Sequence, residues 1–188
     1  MIKEYLQSFN ILTDDEIEHF VNLNTQKTII KGDYFIRESE TCKEVAFILS
    51  GIFRSYYILS NGEQITYCIT FPHTFITAYS SFITGQGTPE NIQALTPVEL
   101  MLVSKDNLDQ LASKNNNWMK LLKVMAEQQY IELEKRIFQL QATNAAQRYR
   151  DLINNQPEYI QEIPLQYLAS FLGITQRHLS RIRKEISF

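Results

Sequence analysis

What this chain has little of narrows its function first. Its only cysteines, Cys42 and Cys68, lie far apart and form no CxxC pair, so a reduced, cytoplasmic chain is expected. The three histidines, His19, His73 and His178, show no metal-ligand spacing and read as surface or packing residues. No metal or other cofactor is expected. Neither a Ser/His/Asp order nor a nucleophile elbow is present, which argues against a hydrolase. Positive charge is not in excess either. The net charge is −3 and the pI about 5.7, so any nucleic-acid contact has to come from a local patch. The N-terminus lacks the apolar core and cleavage site of a signal peptide.

One absence calls for a membrane check. From Gln64 to Pro89, 26 residues, there is no Asp, Glu, Lys or Arg, and that length could span a bilayer. Thr, Ser, Gln, Gly and Pro dilute the run below the apolar density of a spanning helix. It reads as a neutral, β-rich segment, and no membrane partner is expected.

What is present is enough for a folded core: 44% of the 188 residues are hydrophobic and 12% aromatic, which argues against disorder. Thr13-Asp14-Asp15-Glu16 reads as a capping box opening a helix to about Leu23. From Thr28 to about Ser104 the period changes. The runs "TIIKGDYFI", "EVAFILSG", "IFRSYYILSNG", "EQITYCITF" and "VELMLVS" are β-branched and aromatic, each closed by a turn residue. Asn61-Gly62 predicts a type I′ hairpin. Many short strands at this spacing predict a small antiparallel barrel or roll.

After Ser104, a fitting N-cap, the pattern turns helical. A long helix is expected from Asn115, with Trp118, Leu121, Leu122, Met125, Leu133, Ile137 and Leu140 at helical but drifting spacing. Packing on its own barrel would explain one face; the surface left over fits a self-association seam. "TNAAQRYRDLIN" opens another helix, and Asn154-Asn155-Gln156-Pro157 reads as a loop.

The last stretch carries the functional signal. Pro164 suits a first helical position, and Leu165, Leu168, Ala169 and Leu172 share one face. Gly173 follows as a residue able to take positive φ, and Thr175 is a fitting N-cap. Two short helices joined this way make a helix-turn-helix. In the second helix, at about 100° per residue, Leu179, Ile182 and Ile186 cluster on the core side. Arg177, Ser180, Arg181 and Lys184 lie roughly opposite, with Gln176 at the exposed first turn. Cations and a helix N-terminus hold phosphates, while Arg, Gln and Ser reach base edges in the major groove. Thr175, Gln176, Arg177, Ser180, Arg181 and Lys184 are therefore the candidate DNA-binding residues. The plainer alternative is an ordinary surface helix with a charged side.

"IPLQYLASFLGITQRHLSRIRKEI" resembles the helix-turn-helix of the Crp/Fnr transcription regulators, with Leu168, Ala169, Leu172, Gly173, Thr175, Ser180 and Arg181 in the family's places. "KGDYFIRESETCKEVAFILSGIFRSYYILSNGEQ" resembles the first strands of that family's cyclic-nucleotide-binding β-roll. The resemblance implies an α+β fold. Its parts are an antiparallel β-roll sensor over residues 1–112, a long dimerisation helix over 113–142 and a helix-turn-helix over 143–188. It also implies a homodimer acting on operator DNA.

The departures from the family are informative. Its cyclic-nucleotide binders carry Gly-Glu for the ribose and an Arg for the phosphate, where this chain has Ile76-Thr77 and no Arg. Independently of the family, no Lys or Arg occurs between Arg54 and Lys105, so a buried phosphate there would lack a countercharge. Cyclic AMP in the usual mode is not expected. Two isolated cysteines cannot hold the iron–sulfur cluster of the family's oxygen sensors within one subunit. The resemblance also places a β-hairpin wing after the recognition helix; the sequence reaches Phe188 first, so a truncated or absent wing is expected.

A neutral or hydrophobic small-molecule effector is expected against Phe75, Thr77, Tyr79 and Ser80, unless those side chains merely fill the roll. The alternative function is a ligand-binding sensor acting on a protein partner, with the helix-turn-helix only packing. A cupin-type enzyme would need several histidines in the roll, and only His73 lies there.

Overall fold

The structure, a computed structural model, describes residues 1–186. Local sequence sets the helix starts. Helix α1 (Ile2–Gln7) is followed by α2 (Asp14–Asn22), which opens on the expected capping box. The Thr13 hydroxyl accepts from the Glu16 amide at 3.3 Å, and Glu16 Oε2 accepts from the Thr13 amide at 2.7 Å. Removing such a cap costs about 1 kcal/mol, so Thr13→Ala should lower the unfolding free energy by that amount in a urea titration.

The β-branched runs become strands β1 (Thr25–Ile29), β2 (Tyr34–Ile36), β3 (Glu44–Ser50), β4 (Phe53–Ile58), β5 (Gln64–Thr70), β6 (Phe75–Ile76), β7 (Asn91–Ala94) and β8 (Val98–Ser104). A short helix, α3 (Tyr79–Thr84), separates β6 from β7. The strands form two four-stranded sheets, ordered β1-β8-β3-β6 and β2-β7-β4-β5. This is the expected antiparallel roll.

Alternation explains its core. Ala46 and Ile48 of β3 join Ile36, Phe53, Ile92, Leu100 and Leu102 in one cluster fed by both sheets. Phe47, between them, points to the other face, where Val103 meets Ile17 and Phe20 of α2. Strand β3 is therefore buried on both sides, which is why "VAFIL" is continuously apolar rather than alternating.

The hairpin after β4 differs from expectation. Gly62 has φ +84°, but Asn61 is not in the left-handed region, which a type I′ turn requires. The Gly62 amide donates to Leu59 O and the Leu59 amide to Glu63 O, each at 2.8 Å. The loop therefore has three residues, a turn followed by a left-handed glycine. The Asn61 carboxamide accepts from the Glu63 amide at 2.9 Å, a bond that holds Asn61 in place without positive φ.

Ser104 caps α4 (Lys105–Lys114) through the Asn107 amide, and α5 (Asn116–Ala142) follows. Beyond it lie α6 (Ala145–Asn155), α7 (Pro157–Glu162), α8 (Leu165–Phe171) and α9 (Gln176–Ile186). Asn154 and Asn155 are thus helical and the expected loop shrinks to Gln156, because Pro157 needs no amide partner and starts α7 directly. Pro164 is the cap of α8 rather than its first residue, with ψ 138°. The expectation about the wing lies outside the described residues.

Two compact units divide the chain. One is Met1–Ser55 with Ile69–Glu127; the other is Tyr56–Cys68 with the chain from Gln128 onward. The first holds the two clusters above. In the second, Tyr149, Leu152, Tyr159, Leu168, Phe171, Leu172, Leu179 and Ile182 are buried. The hairpin of β4 and β5 joins that unit through Ser170 of α8. Its hydroxyl accepts from the Thr66 amide at 2.9 Å and donates to Gln64 O at 3.2 Å. Strand β5 is last in its sheet, and one serine supplies both a donor and an acceptor to that open edge. No helix among the described residues is long and apolar enough to cross a membrane.

Candidate nucleic-acid interface

The turn between α8 and α9 is built by hydrogen bonds that only a left-handed residue allows. Gly173 has φ +71°. Its amide donates to Ser170 O at 2.9 Å, and the Ile174 amide donates to Ala169 O at 3.0 Å, the paired bonds of a Schellman end. Thr175 then starts α9. Its hydroxyl accepts from the His178 amide at 3.2 Å, and its carbonyl accepts from the Leu179 amide at 3.0 Å.

Helix α9 is sharply two-sided. Leu179 is 0% exposed and Ile182 is buried, while Thr175, Gln176, Arg177, Arg181 and Lys184 are exposed. Ser180 is half-buried, and its hydroxyl donates to Gln176 O at 3.0 Å. Arg183 is also half-buried. Among the described residues, Arg177, Arg181 and Lys184 make no hydrogen bond or ion pair. Three cations therefore stand on one face, none of them in an ion pair among the described residues. That arrangement suits phosphates, which one charge on each cation can meet, and base edges, which a guanidinium fork can read.

The residues expected along the long helix divide into two groups. Trp118 and Leu121 are buried in the cluster with Phe20 and Leu108, and Leu122 and Met125 are half-buried. Leu133, Ile137 and Leu140 are exposed. Further exposed apolar side chains join them: Met119, Tyr130, Ile131 and Phe138. Met119, Ala126, Leu133 and Leu140 recur every seven residues, and Tyr130 and Ile137 recur seven apart between them. Leu121 falls on the opposite side of the helix and Trp118 about a quarter-turn from the stripe. One helix thus carries a face covered by its own chain in its first half and a heptad stripe along its length that is exposed except at the half-buried Ala126.

The four residues expected to meet an effector sit in different surroundings. Phe75 packs outward, its ring 5.1 Å from Phe47, 5.6 Å from Tyr5 and 6.3 Å from Phe20. The Thr77 hydroxyl donates to Glu44 O at 2.9 Å, while Tyr79 and Ser80 are exposed on α3. Helix α3 itself carries no charged side chain. Its Ser81 hydroxyl accepts from the Cys42 amide at 2.9 Å, and Ala78 and Phe82 turn into the apolar cluster. No cation or acid stands between Phe75 and Pro89.

A cleft of about 730 Å³ lies beside α3, lined by Phe35, Cys42, Lys43, Phe82, Lys105 and Asp106 among others, and none of the four expected residues is in its wall. Sequence reasoning also missed Arg54, 2% exposed in β4, which donates to Gln93 Oε1 at 3.3 Å. A lone Arg inside the apolar run "IFRSYY" was the available signal.

Residues 26–115 match the cyclic nucleotide-binding domain family. Solved structures of the same build include FixK2 from Bradyrhizobium japonicum, 17% identical with a TM-score of 0.76, covering 87% of this chain and 84% of that one. A putative transcriptional regulator of the Crp/Fnr family from Eubacterium rectale is 14% identical with a TM-score of 0.72, covering 98% and 88%. The c-di-GMP responsive global regulator CLP from Xanthomonas campestris is 16% identical with a TM-score of 0.70, covering 93% and 92%. No curated protein matches the chain in sequence. At these identities the likeness is one of fold: roll, long helix and terminal helix-turn-helix follow one another as in Crp/Fnr regulators.

Proposed function

We propose that this chain, a cyclic-nucleotide-binding-type roll on the fold of Crp/Fnr regulators, is itself a transcription regulator that binds operator DNA as a homodimer. The observation that carries this reading is the free cationic face of α9, held outward by a buried Leu179. Arg181 and Arg177 read bases, Lys184 and the α9 N-terminus hold phosphates, and Ser180 and Gln176 complete the contact face. The stripe of Met119, Ala126, Tyr130, Leu133, Ile137 and Leu140 joins two copies, so that two recognition helices meet two half-sites.

Genomic DNA retained by the purified protein, sequenced and titrated back, tests the reading. Losing one bidentate base contact costs about 1–3 kcal/mol. Arg181→Ala should therefore weaken operator binding about 5- to 150-fold, with dimer mass and thermal midpoint unchanged. Lys184→Ala should instead flatten the dependence of log affinity on log salt by about one unit. Operator affinity of Arg181→Ala within error of wild type removes that residue from the interface, and a chain that retains no specific DNA overturns the function.

The roll acts without a cyclic nucleotide in this reading, because α3 lacks the cation that a buried phosphate requires. Millimolar cyclic AMP is expected to leave both the thermal midpoint and the operator affinity where they were. A saturating ligand would instead raise stability by a few kcal/mol, and a shift of that size would reject this part of the proposal.

A further inference from the structure

Helix α8 ends with every carbonyl of its last turn taken, and two of the donors come from far along the chain. Leu168 O accepts from the Leu172 amide, and the Schellman bonds use Ala169 O and Ser170 O. Phe171 O and Leu172 O are left over, as a helix end leaves them. Arg136 of α5 donates to Phe171 O. Arg148 of α6 donates to Leu172 O through Nη2 at 2.9 Å and Nε at 3.2 Å, and to Thr143 O through Nη1. Arg136 also lies 3.9 Å over the Phe171 ring, and the Tyr159 ring packs against Phe171 at 5.2 Å.

Neither arginine has a carboxylate partner among the described residues. Burial and then the neighbouring Arg148 push the Arg136 guanidinium below its ordinary pKa, although an arginine keeps its charge in either case. Two like charges brought together out of water oppose folding. What the pair supplies is direction: a planar fork fixes the line of a carbonyl as a lysine cannot. Arg136 sits on the helix that carries the apolar stripe, four residues before Leu140. Leu140 Cδ2 in turn stands 3.6 Å from where a Cβ on Gly173 would be.

We infer that Arg136 and Arg148 are positioning residues for DNA binding, holding the carboxyl end of α8, and with it the start of α9, against the stripe-bearing helix. The geometry of the dimer is thereby passed to the recognition helices. This inference rests on the DNA-binding reading above.

The experiment uses full-length Arg136→Gln, Arg148→Gln and Arg136→Lys, with the exposed Arg150→Ala as control. Amide hydrogen exchange is followed at Gly173, Ile174, His178 and Leu179, and at Ala46–Ile48 as a reference. Operator affinity is measured across a salt series and dimer mass at micromolar protein.

In both Gln variants the turn amides should exchange at least tenfold faster, with the reference amides and dimer mass unchanged. Operator affinity should fall about tenfold, which is about 1.4 kcal/mol, with the salt slope preserved, and Arg136→Lys should recover part of it. Turn amides that exchange as in wild type overturn the inference. A salt slope flattened by about one does so too, because it marks a direct phosphate contact. Faster exchange at Ala46–Ile48 also overturns it, because it marks general destabilisation. Should the wild type bind no specific DNA, the DNA-binding reading fails and positioning for DNA binding fails with it. The exchange data then decide separately whether the two arginines hold the turn.

Discussion

Replacing Leu133 and Ile137 with glutamate is expected to leave the protein folded but monomeric, and to lower operator affinity at least about 100-fold. Both side chains are about half exposed in the single chain, so the monomer loses little when they change. In a two-fold dimer each substitution occurs twice. Fully burying a Leu or Ile contributes about 1.5–3 kcal/mol; with about half of each already covered in the single chain, four lost side chains remove about 3–6 kcal/mol. A micromolar dimer is worth about 8 kcal/mol in all, and four carboxylates facing one another would oppose what remains.

Operator binding falls with the dimer, because linking two reading heads raises avidity by about 10²–10⁴ without any new contact. Sedimentation at micromolar concentration and operator titration give the two readouts. Leu121→Ala should show the opposite signature. That residue is 1% exposed in the chain's own core, so the change costs about 2–5 kcal/mol of stability and leaves the stripe intact. A Leu133→Glu/Ile137→Glu protein that sediments as a dimer would show that the stripe is not the seam.

The sequence made this helix legible but not its two faces. Trp118, Leu121 and Met125 satisfy the same period as Leu133 and Ile137, and periodicity cannot say whether a neighbour or a partner covers a residue. The recognition helix was easier, because Leu179, Ile182, Arg177 and Arg181 carry opposite meanings within two turns. The roll was legible for the same local reason. Its runs are β-branched and short, and β3 is apolar from Val45 to Leu49 because both faces are covered.

Longer-range facts were not legible. Phe75 pairs with Phe47 across β6 and β3, which sends its ring outward among Tyr5 and Phe20; a shift of one residue in register would reverse that. Arg136 and Arg148 carry no signal either, because their acceptors at the end of α8 are backbone carbonyls 35 and 24 residues away. Any residue type presents such a carbonyl.

Gly51→Ala is expected to cost the roll about 2–5 kcal/mol, a large share of the 5–15 kcal/mol that holds a typical domain together. In the sequence Gly51 only closes a strand run. In the structure it follows β3 with φ +88°, where a Cβ costs about 1–2 kcal/mol through its own carbonyl. The same Cβ would also stand 2.3 Å from Pro97 O and 2.8 Å from Val98 Cα. Both are backbone atoms, so no rotamer change relieves them.

The corner cannot retreat cheaply. The Ile52 amide donates to Thr96 Oγ1 at 3.0 Å, and the Leu95 amide donates to Ile52 O at 2.8 Å. These bonds tie the two passing segments together, and forced overpacking of this kind adds about 1–3 kcal/mol. Gly62→Ala separates the two contributions, since Gly62 has φ +84° and open space where its Cβ would go. It should lose only the backbone part, about 1–2 kcal/mol. Urea unfolding of both variants against wild type measures the difference. Equal losses would mean that the corner yields, and that the close approach of Gly51 to Pro97 and Val98 does not fix the roll.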